Sequence, residues 1–465
     1  FKQKTAYEIR LSLVGSEMCI RDRPNYAGWY IGPDPSPTSV WSGLTRTLTN
    51  NSWSNSMIED LDLSSTGVVE QLAPPMSEKA IRIKGLVIGH VQSGKTANYS
   101  AVSAKAVDSG YKLVVILSGM HNNLRKQTQA RLKLELVDPS PTRCTTLTDE
   151  DEGGDFQKKQ TVSASRALSI DGFTLVVLKK NSSVLRNFHA WLDGASKEVI
   201  ERTPALIIDD ESDQASINTA KAEDDPTAIN QHIRKLMTRF HVCSFVGYTA
   251  TPFANVLVDA LEDSDVFPRD FLISLGKPPN YFGAEELFGR EKVGALKAKE
   301  GLPVIRNIPP GDSIVLSPKS VKKILDDGSS LLVPSMETAI DNFVLSCSAR
   351  YVRGQHKKHM TMLLHISHLT DAQSRLKNNV DEYLKTLKFE AEKDSSELKE
   401  RLKFLWEEDF AIASKEFIGA PSINFSEIWA FTKRVIEELE TILENSRSLE
   451  RLSFETEIPL RAIVV

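Results

Sequence analysis

Residues 89–96 of this chain read GHVQSGKT and match the pattern G-x-x-x-x-G-K-[ST]. A short apolar run, LVI at residues 86–88, precedes them, and a segment of helical character follows at residues 97–107. A strand followed by a glycine-containing loop and then by the start of a helix is an arrangement that binds phosphate groups. The glycines let successive backbone N–H groups point inward, and the helix N-terminus adds positive potential. The stretch therefore predicts a site for the phosphates of a nucleotide.

The loop supplies the predicted nucleotide-binding residues, which are Gly89, Gln92, Ser93, Gly94, Lys95 and Thr96. We expect Lys95 to reach the β- and γ-phosphates and the Thr96 hydroxyl to hold Mg²⁺. A chance glycine-rich turn before a helix is the alternative interpretation of the pattern. A second motif further along the chain favours the nucleotide site.

This second motif, LIIDDESD at residues 206–213, begins as a buried strand and ends in four acids within five residues. Carboxylates packed this closely repel each other, so such a strand end favours a bound cation over a solvated acidic loop. We expect Asp210 to hold Mg²⁺ through water and Glu211 to act as general base toward the attacking water. The two motifs together predict an ATP site in which Lys95 and Glu211 are the catalytic residues.

A third motif, FVGYTATP at residues 245–252, is another short strand that runs into a turn, which Pro252 ends. The hydroxyls of Thr249 and Thr251, on either side of Ala250, can bond the acidic strand end and report the nucleotide state. An ordinary strand-to-loop turn is the alternative.

The three motifs, in this order, resemble the first, second and third motifs of the superfamily-two helicase-like ATPases. More closely, the chain resembles the Z1 (Z-one) domain family, which is labelled an endonuclease family and is associated with bacterial restriction and anti-phage loci. The resemblance covers residues 61–465 and is carried by GLVIGHVQSGKTANY (85–99), GMHNNLR (119–125), IDDESDQAS (208–216) and GYTATPFAN (247–255).

The resemblance implies a nucleic-acid-dependent ATPase motor of a restriction or anti-phage system, with other proteins of the defence locus as possible partners. In such motors Thr249, Ala250 and Thr251 would couple hydrolysis to strand movement. The segment after the strand at residues 113–117 would touch the nucleic-acid backbone, and its predicted contacts are Asn122, Asn123, Arg125 and Gln127. A polar, solvated helix start is the alternative for that segment.

Bulk composition limits the partners. The formal net charge of −5 speaks against a histone-like binder, so a nucleic-acid site, with DNA favoured over RNA, must be a local groove. The 4 cysteines form no C-x-x-C pair, which argues against a zinc finger or disulfide framework and suits the cytoplasm. Apolar runs stay far below the roughly 20 residues that span a bilayer, so we expect no membrane association.

Strands alternating with helical segments predict an α/β fold. We expect a RecA-like P-loop NTPase core, with a parallel sheet and helices on both faces, and a second, truncated RecA-like α/β domain. Residues 1–23 resemble a non-native leader, and residues 24–75 form a loop and helix region. The first ATPase domain is predicted over 76–261, a connector or insertion over 262–330, and the second domain over 331–465.

The last strand of the second domain stops without the loop that would supply the remaining helicase motifs and their arginine finger. We therefore expect a fragment that binds ATP but hydrolyses it poorly. The ELK triplet at 397–399 has the acid-x-Lys pattern of metal-dependent nucleases, but it lies in a charged helical run rather than on a strand. The sequence therefore shows no apparent nuclease centre. Two alternatives stay open: an endonuclease whose cleavage centre lies outside this sequence, and an ATP-bound switch scaffold that does not translocate.

Overall fold

The computed structural model describes residues 28–465 except 92–93, 141, 152, 159, 215, 217–227, 253–265, 267, 278–280, 293–296, 411, 414–422, 446, 449–451, 453 and 455–457. The chain divides into two compact units, the first ending at Gly283 and the second beginning at Ala284. In the described part of the chain, no helix is long and apolar enough to cross a membrane.

The sheet of the first unit has seven strands. They are β1 (Ile81–Ile88), β2 (Leu113–Ser118), β3 (Cys144–Thr146), β4 (Phe173–Lys179), β5 (Ala205–Asp210), β6 (Val242–Thr249) and β7 (Phe271–Ser274). Their order is β3-β4-β2-β5-β6-β1-β7, and every pair is parallel. A parallel sheet is covered on both faces, which explains why the inner strands are continuous apolar runs.

Helices cover both faces of this sheet. They are α1 (Val40–Asn50), α2 (Asn55–Val69), α3 (Lys95–Asp108), α4 (Asn122–Leu132), α5 (Ala164–Ser169), α6 (Ser182–Leu192), α7 (Lys197–Glu201) and α8 (Ala228–Arg239), with a π-helical turn at Lys133–Val137. Alternate residues of β2 point to opposite faces: Val114 and Ile116 join the core under α1 to α3, whereas Val115 and Leu117 join the core under α6 and α8.

The first unit extends further than residues 76–261 at both ends. At its N-terminal end, α1 and α2 precede residue 76, in a region predicted to hold loops and a helix. Trp41 of α1 packs into the same core as Val114 and Ile116. After it, β7 pairs with β1 in the register Gly85↔Phe271. A Cβ on Gly85 would lie only 2.0 Å from Cζ of Phe271, so the glycine makes room for the ring of the neighbouring strand.

The second unit contains α9 (Ala284–Phe288), α10 (Pro310–Val315), α11 (Pro318–Asp327), α12 (Pro334–Val352), β8 (Met360–Leu363), α13 (Thr370–Glu392), α14 (Ser396–Leu405), a π-helical turn (Trp406–Phe410), α15 (Phe425–Glu438), β9 (Glu440–Ile442) and β10 (Arg461–Val464). Its strands are parallel in the order β8-β10-β9. Two units with parallel sheets confirm the predicted α/β class. Residues 284–330, predicted as a connector, belong to the second unit.

Candidate nucleotide-binding site

The three predicted motifs meet at one edge of the first sheet. The motif strands are neighbours in the order β5-β6-β1, so the predicted phosphate loop and the acidic strand end flank the end of β6. The register aligns Ile88 with Thr249 and Asp210 with Tyr248. Because parallel strands finish on the same side, their following loops form a crevice of the kind in which α/β proteins bind ligands.

The predicted phosphate loop begins against the neighbouring strand, where the Gly89 amide donates to the Thr249 carbonyl at 2.9 Å. Gly94 closes the loop with φ 88°, in the left-handed region that glycine adopts without steric cost. Lys95 is the first residue of α3, and its Nζ donates to the His90 carbonyl at 3.2 Å. The ammonium of this lysine thus lies over its own loop.

The remaining predicted loop residues have different outcomes. Gln92 and Ser93 lie outside the described residues. Thr96 is half-buried in the first turn of α3. Tyr99 donates to Oδ2 of Asp210 at 3.1 Å. Tyr99 therefore links α3, the helix that begins at the predicted phosphate loop, to the predicted Mg²⁺ ligand Asp210.

The Asp210 carboxyl lies in a site that favours neutralisation or a bound cation. Burial raises its pKa, the Tyr99 hydrogen bond opposes that rise, and the charge of Glu211 adds to it. A cation near Asp210 would favour the ionised form and offset the cost of burying it. Mg²⁺ in nucleotide sites takes one or two protein ligands besides phosphates and water, and Thr96 with Asp210 fits that small set. No cluster of three or more His, Cys, Asp or Glu residues suited to a metal occurs among the described residues.

Glu211 has an unusual backbone conformation, with φ 53°. A non-glycine residue in this left-handed region costs roughly 1–2 kcal/mol, so surrounding contacts must hold it there. Its amide donates to Oδ1 of Asp210 at 3.1 Å, and a Cβ on Gly119 would lie 3.3 Å from its Oε2. Gly119, at the end of β2, therefore leaves space for the Glu211 carboxylate.

The third motif bonds directly to the acidic turn. The Thr249 hydroxyl donates to Oδ1 of Asp213 and the Thr251 hydroxyl to Oδ2 of the same carboxylate, both at 2.7 Å. The Thr251 amide also donates to the Thr249 hydroxyl at 2.9 Å. Ala250 lies half-buried between them. Both threonines thus clamp one carboxylate, while their part in coupling hydrolysis to movement stays a prediction.

A buried lysine, which the sequence interpretation did not assign to the site, completes the acidic turn. After β4, Asn181 caps α6 by accepting from the Ser183 and Val184 amides. Lys180, however, pairs with Asp209 at 2.8 Å, and both side chains are 0% exposed. The useful signal would have been a lysine at the end of an apolar strand, but the strand order that brings it to Asp209 is not written in the sequence.

The predicted nucleic-acid contacts on α4 divide by exposure. Asn122, Asn123 and Gln127 are exposed, and the Asn122 side-chain oxygen accepts from Lys179 Nζ at 2.8 Å. Arg125 is a correction: it is only 1% exposed, and its guanidinium donates to the Asp149 carbonyl at 2.8 Å. Its side chain anchors α4 to a neighbouring loop, so it offers no surface to a nucleic acid.

A seven-stranded parallel sheet with helices on both faces defines the first unit as an α/β fold. Residues 335–465 match the family model of the Z1 domain. Comparison with curated proteins gives no match.

Solved structures similar to this chain include the following three. The Pyrococcus furiosus Hef helicase domain matches with 14% identity and a TM-score of 0.28, over 76% of this chain and 66% of that chain. A nuclease-deletion mutant of the Type ISP restriction-modification enzyme LlaGI, in complex with a DNA substrate mimic, matches with 13% identity and a TM-score of 0.28, over 76% and 30%. Saccharomyces cerevisiae Dbp5 bound to RNA and ADP–BeF3 matches with 11% identity and a TM-score of 0.28, over 70% and 71%.

Proposed function

We propose that this chain is a nucleic-acid-dependent, helicase-like ATPase motor that works with Mg²⁺ in a bacterial restriction or anti-phage system. The observation that carries the proposal is the joining of three motifs at one sheet edge. Tyr99 connects the helix after the phosphate loop to Asp210, and two threonine hydroxyls connect the end of β6 to Asp213. An isolated glycine-rich turn would not require these contacts.

The chain's own groups fit the roles that ATP hydrolysis needs. Mg²⁺·ATP, when bound, supplies the γ-phosphoryl group and the positive charge that stabilises its transfer. The loop at residues 89–96 would surround the phosphates with N–H groups, and Lys95 would exchange the His90 carbonyl for phosphate oxygens. Thr96 and Asp210 would hold the metal ion. Glu211 would orient the attacking water and accept its proton.

Coupling to nucleic acid would use the other two regions of the site. If the acidic turn moves after hydrolysis, Asp213 pulls on both Thr249 and Thr251, so the end of β6 moves with it. The exposed amides of α4, on Asn122, Asn123 and Gln127, suit contacts to phosphate and sugar, which position a strand without reading its sequence.

ATP turnover by the full-length protein, with and without single-stranded DNA, double-stranded DNA or RNA, tests the proposal. We expect one of these to stimulate turnover about tenfold or more, equivalent to about 1.4 kcal/mol of barrier. The stimulated turnover should be lost in Lys95→Ala and Glu211→Gln. Glu198→Gln is the matched control, because Glu198 is an exposed glutamate on α7.

Other outcomes distinguish the alternatives. Slow turnover that no nucleic acid changes, together with ATP-dependent binding of a partner protein, would refute the motor and favour the switch scaffold. Mg²⁺-dependent nicking of DNA that survives Lys95→Ala would favour an endonuclease. Turnover that survives both Lys95→Ala and Glu211→Gln would refute the ATP site itself.

A further inference from the structure

Lys180 is a buried charged group next to the candidate site that the proposed mechanism does not use. It follows β4, and its ammonium lies beside the acidic turn after β5, although β2 separates these two strands in the sheet. Its Nζ donates to the Glu211 carbonyl at 2.7 Å and to the Gln214 carbonyl at 3.1 Å, and it pairs with Asp209 at 2.8 Å.

Two of the three N–H donors of the ammonium group thus bond to backbone carbonyls of the turn, and the contact with Asp209 is an ion pair. Lys180 thus contacts the turn on both sides of Glu211, at Asp209 before it and at Gln214 after it. The Gln214 amide donates back to the Glu211 carbonyl at 2.9 Å. A lysine so placed fixes the positions of the residues on both sides of Glu211, at the point where the backbone takes its left-handed conformation.

We propose that Lys180 is a positioning residue that holds Glu211 in this conformation and thereby directs its carboxylate into the crevice beside Gly119. Lys180 cannot touch a nucleotide itself, because its side chain is 0% exposed. It acts only through the turn that carries Glu211. This inference rests on the proposed role of Glu211 as general base.

Asp209 explains why a lysine is tolerated at this buried position. Burial raises the pKa of the Asp209 carboxyl, and the charge of Lys180 opposes that rise. Removing only one member of a buried pair leaves the other charge uncompensated, whereas replacing both with apolar residues of similar size is commonly tolerated. The informative variant therefore replaces both residues at once.

The test uses the full-length protein carrying Lys180→Met with Asp209→Leu, in the natural background and with Glu211→Gln. We expect kcat for ATP to fall by about tenfold or more and KM to stay within about twofold. In the Glu211→Gln background the same pair of changes should cause no further fall, because Lys180 works through Glu211. An unchanged kcat, or an equal fall in both backgrounds, would overturn the proposal.

A second measurement does not depend on activity. Amide hydrogen exchange without nucleotide should speed up at residues 211–214 in the double variant and remain unchanged in the rest of the sheet. Lys105→Met is the matched control, because Lys105 is also a buried lysine but bonds to α2. It should lower the melting temperature and leave both kcat and the exchange of residues 211–214 unchanged.

The two measurements separate the possible failures. If the full-length protein hydrolyses no ATP, the proposed function fails, and hydrogen exchange still decides whether Lys180 fixes the turn. Unchanged exchange at residues 211–214, or faster exchange spread over the whole unit, would refute the positioning role even if the protein is an active ATPase.

Discussion

Gly85→Ala should destabilise the first unit by displacing its edge strand. A Cβ at this position would lie 2.0 Å from Cζ of Phe271 and 2.2 and 2.4 Å from Cε1 and Cε2. Carbon atoms in contact normally stay about 3.5–4.0 Å apart, so the ring must move by more than an ångström. Phe271 is only 2% exposed and pairs directly with Gly85, which leaves the ring little space unless β7 shifts.

The size of the effect follows from these contacts. Forcing a methyl group into a packed core costs about 1–3 kcal/mol, and exposing a buried phenylalanine side chain adds about 1.5–3 kcal/mol. The two costs do not add in full, because a ring that moves out of the core no longer clashes with the methyl group. We therefore expect a total loss of about 3 kcal/mol in the free energy of unfolding. For a unit of this size the melting temperature should fall by roughly 6–12 °C.

The assay is denaturant unfolding of Gly85→Ala, Phe271→Ala and the double variant. Phe271→Ala alone should cost about 3–5 kcal/mol through the cavity it leaves. In the double variant the new methyl group partly fills that cavity, so the loss should be about 2 kcal/mol smaller than the sum. Gly153→Ala is the control, since nothing lies within 4 Å of its Cβ position. A harmless Gly85→Ala, or strict additivity, would refute the pairing of β7 with β1.

Three further changes test other contacts. Thr249→Val with Thr251→Val removes both hydrogen bonds to Asp213. The nucleic-acid-stimulated kcat should therefore fall about tenfold, while KM for ATP stays within about twofold. An unchanged kcat would contradict a role of these threonines in coupling hydrolysis to strand movement. Burial lowers the pKa of His189 from 6.5 to about 4. The stabilisation from the neutral imidazole is therefore complete above pH 6.5 and lost as the pH falls toward 4. Between these pH values, His189→Gln should reduce the change in the free energy of unfolding by at most about 3 kcal/mol. An unchanged pH dependence would refute the lowered pKa of His189. Lys105→Met removes an ammonium that bonds to α2, and calorimetry should show a loss of about 2–3 kcal/mol; a loss below about 0.5 kcal/mol would show that this anchor is dispensable.

Local patterns in the sequence predicted the strand, loop and helix around residues 86–107 and the strand that ends at Asp210. These features depend on hydrophobic runs, glycine placement and neighbouring charges, all of which lie within a few residues of each other. The α/β class followed from the alternation of such segments.

Contacts between distant segments were not predictable in this way. Phe271–Ser274 belongs to the first sheet only because Gly85 leaves room for an aromatic ring about 190 residues away in sequence. Arg125 was predicted to contact nucleic acid because the resemblance implies that role for its segment, yet tertiary packing buries it against Asp149. A residue's exposure depends on which other segments pack on it, and that information is not local.

The sequence by itself determined the class of fold and which residues carry the predicted nucleotide chemistry, because loop geometry and charge are properties of short segments. Only the tertiary structure decided that β6 lies between the phosphate-loop strand and the acidic strand, that Tyr99 contacts Asp210, and that Lys180 pairs with Asp209. Strand order and long-range packing arise from burying the whole sheet at once, so no single stretch of sequence specifies them.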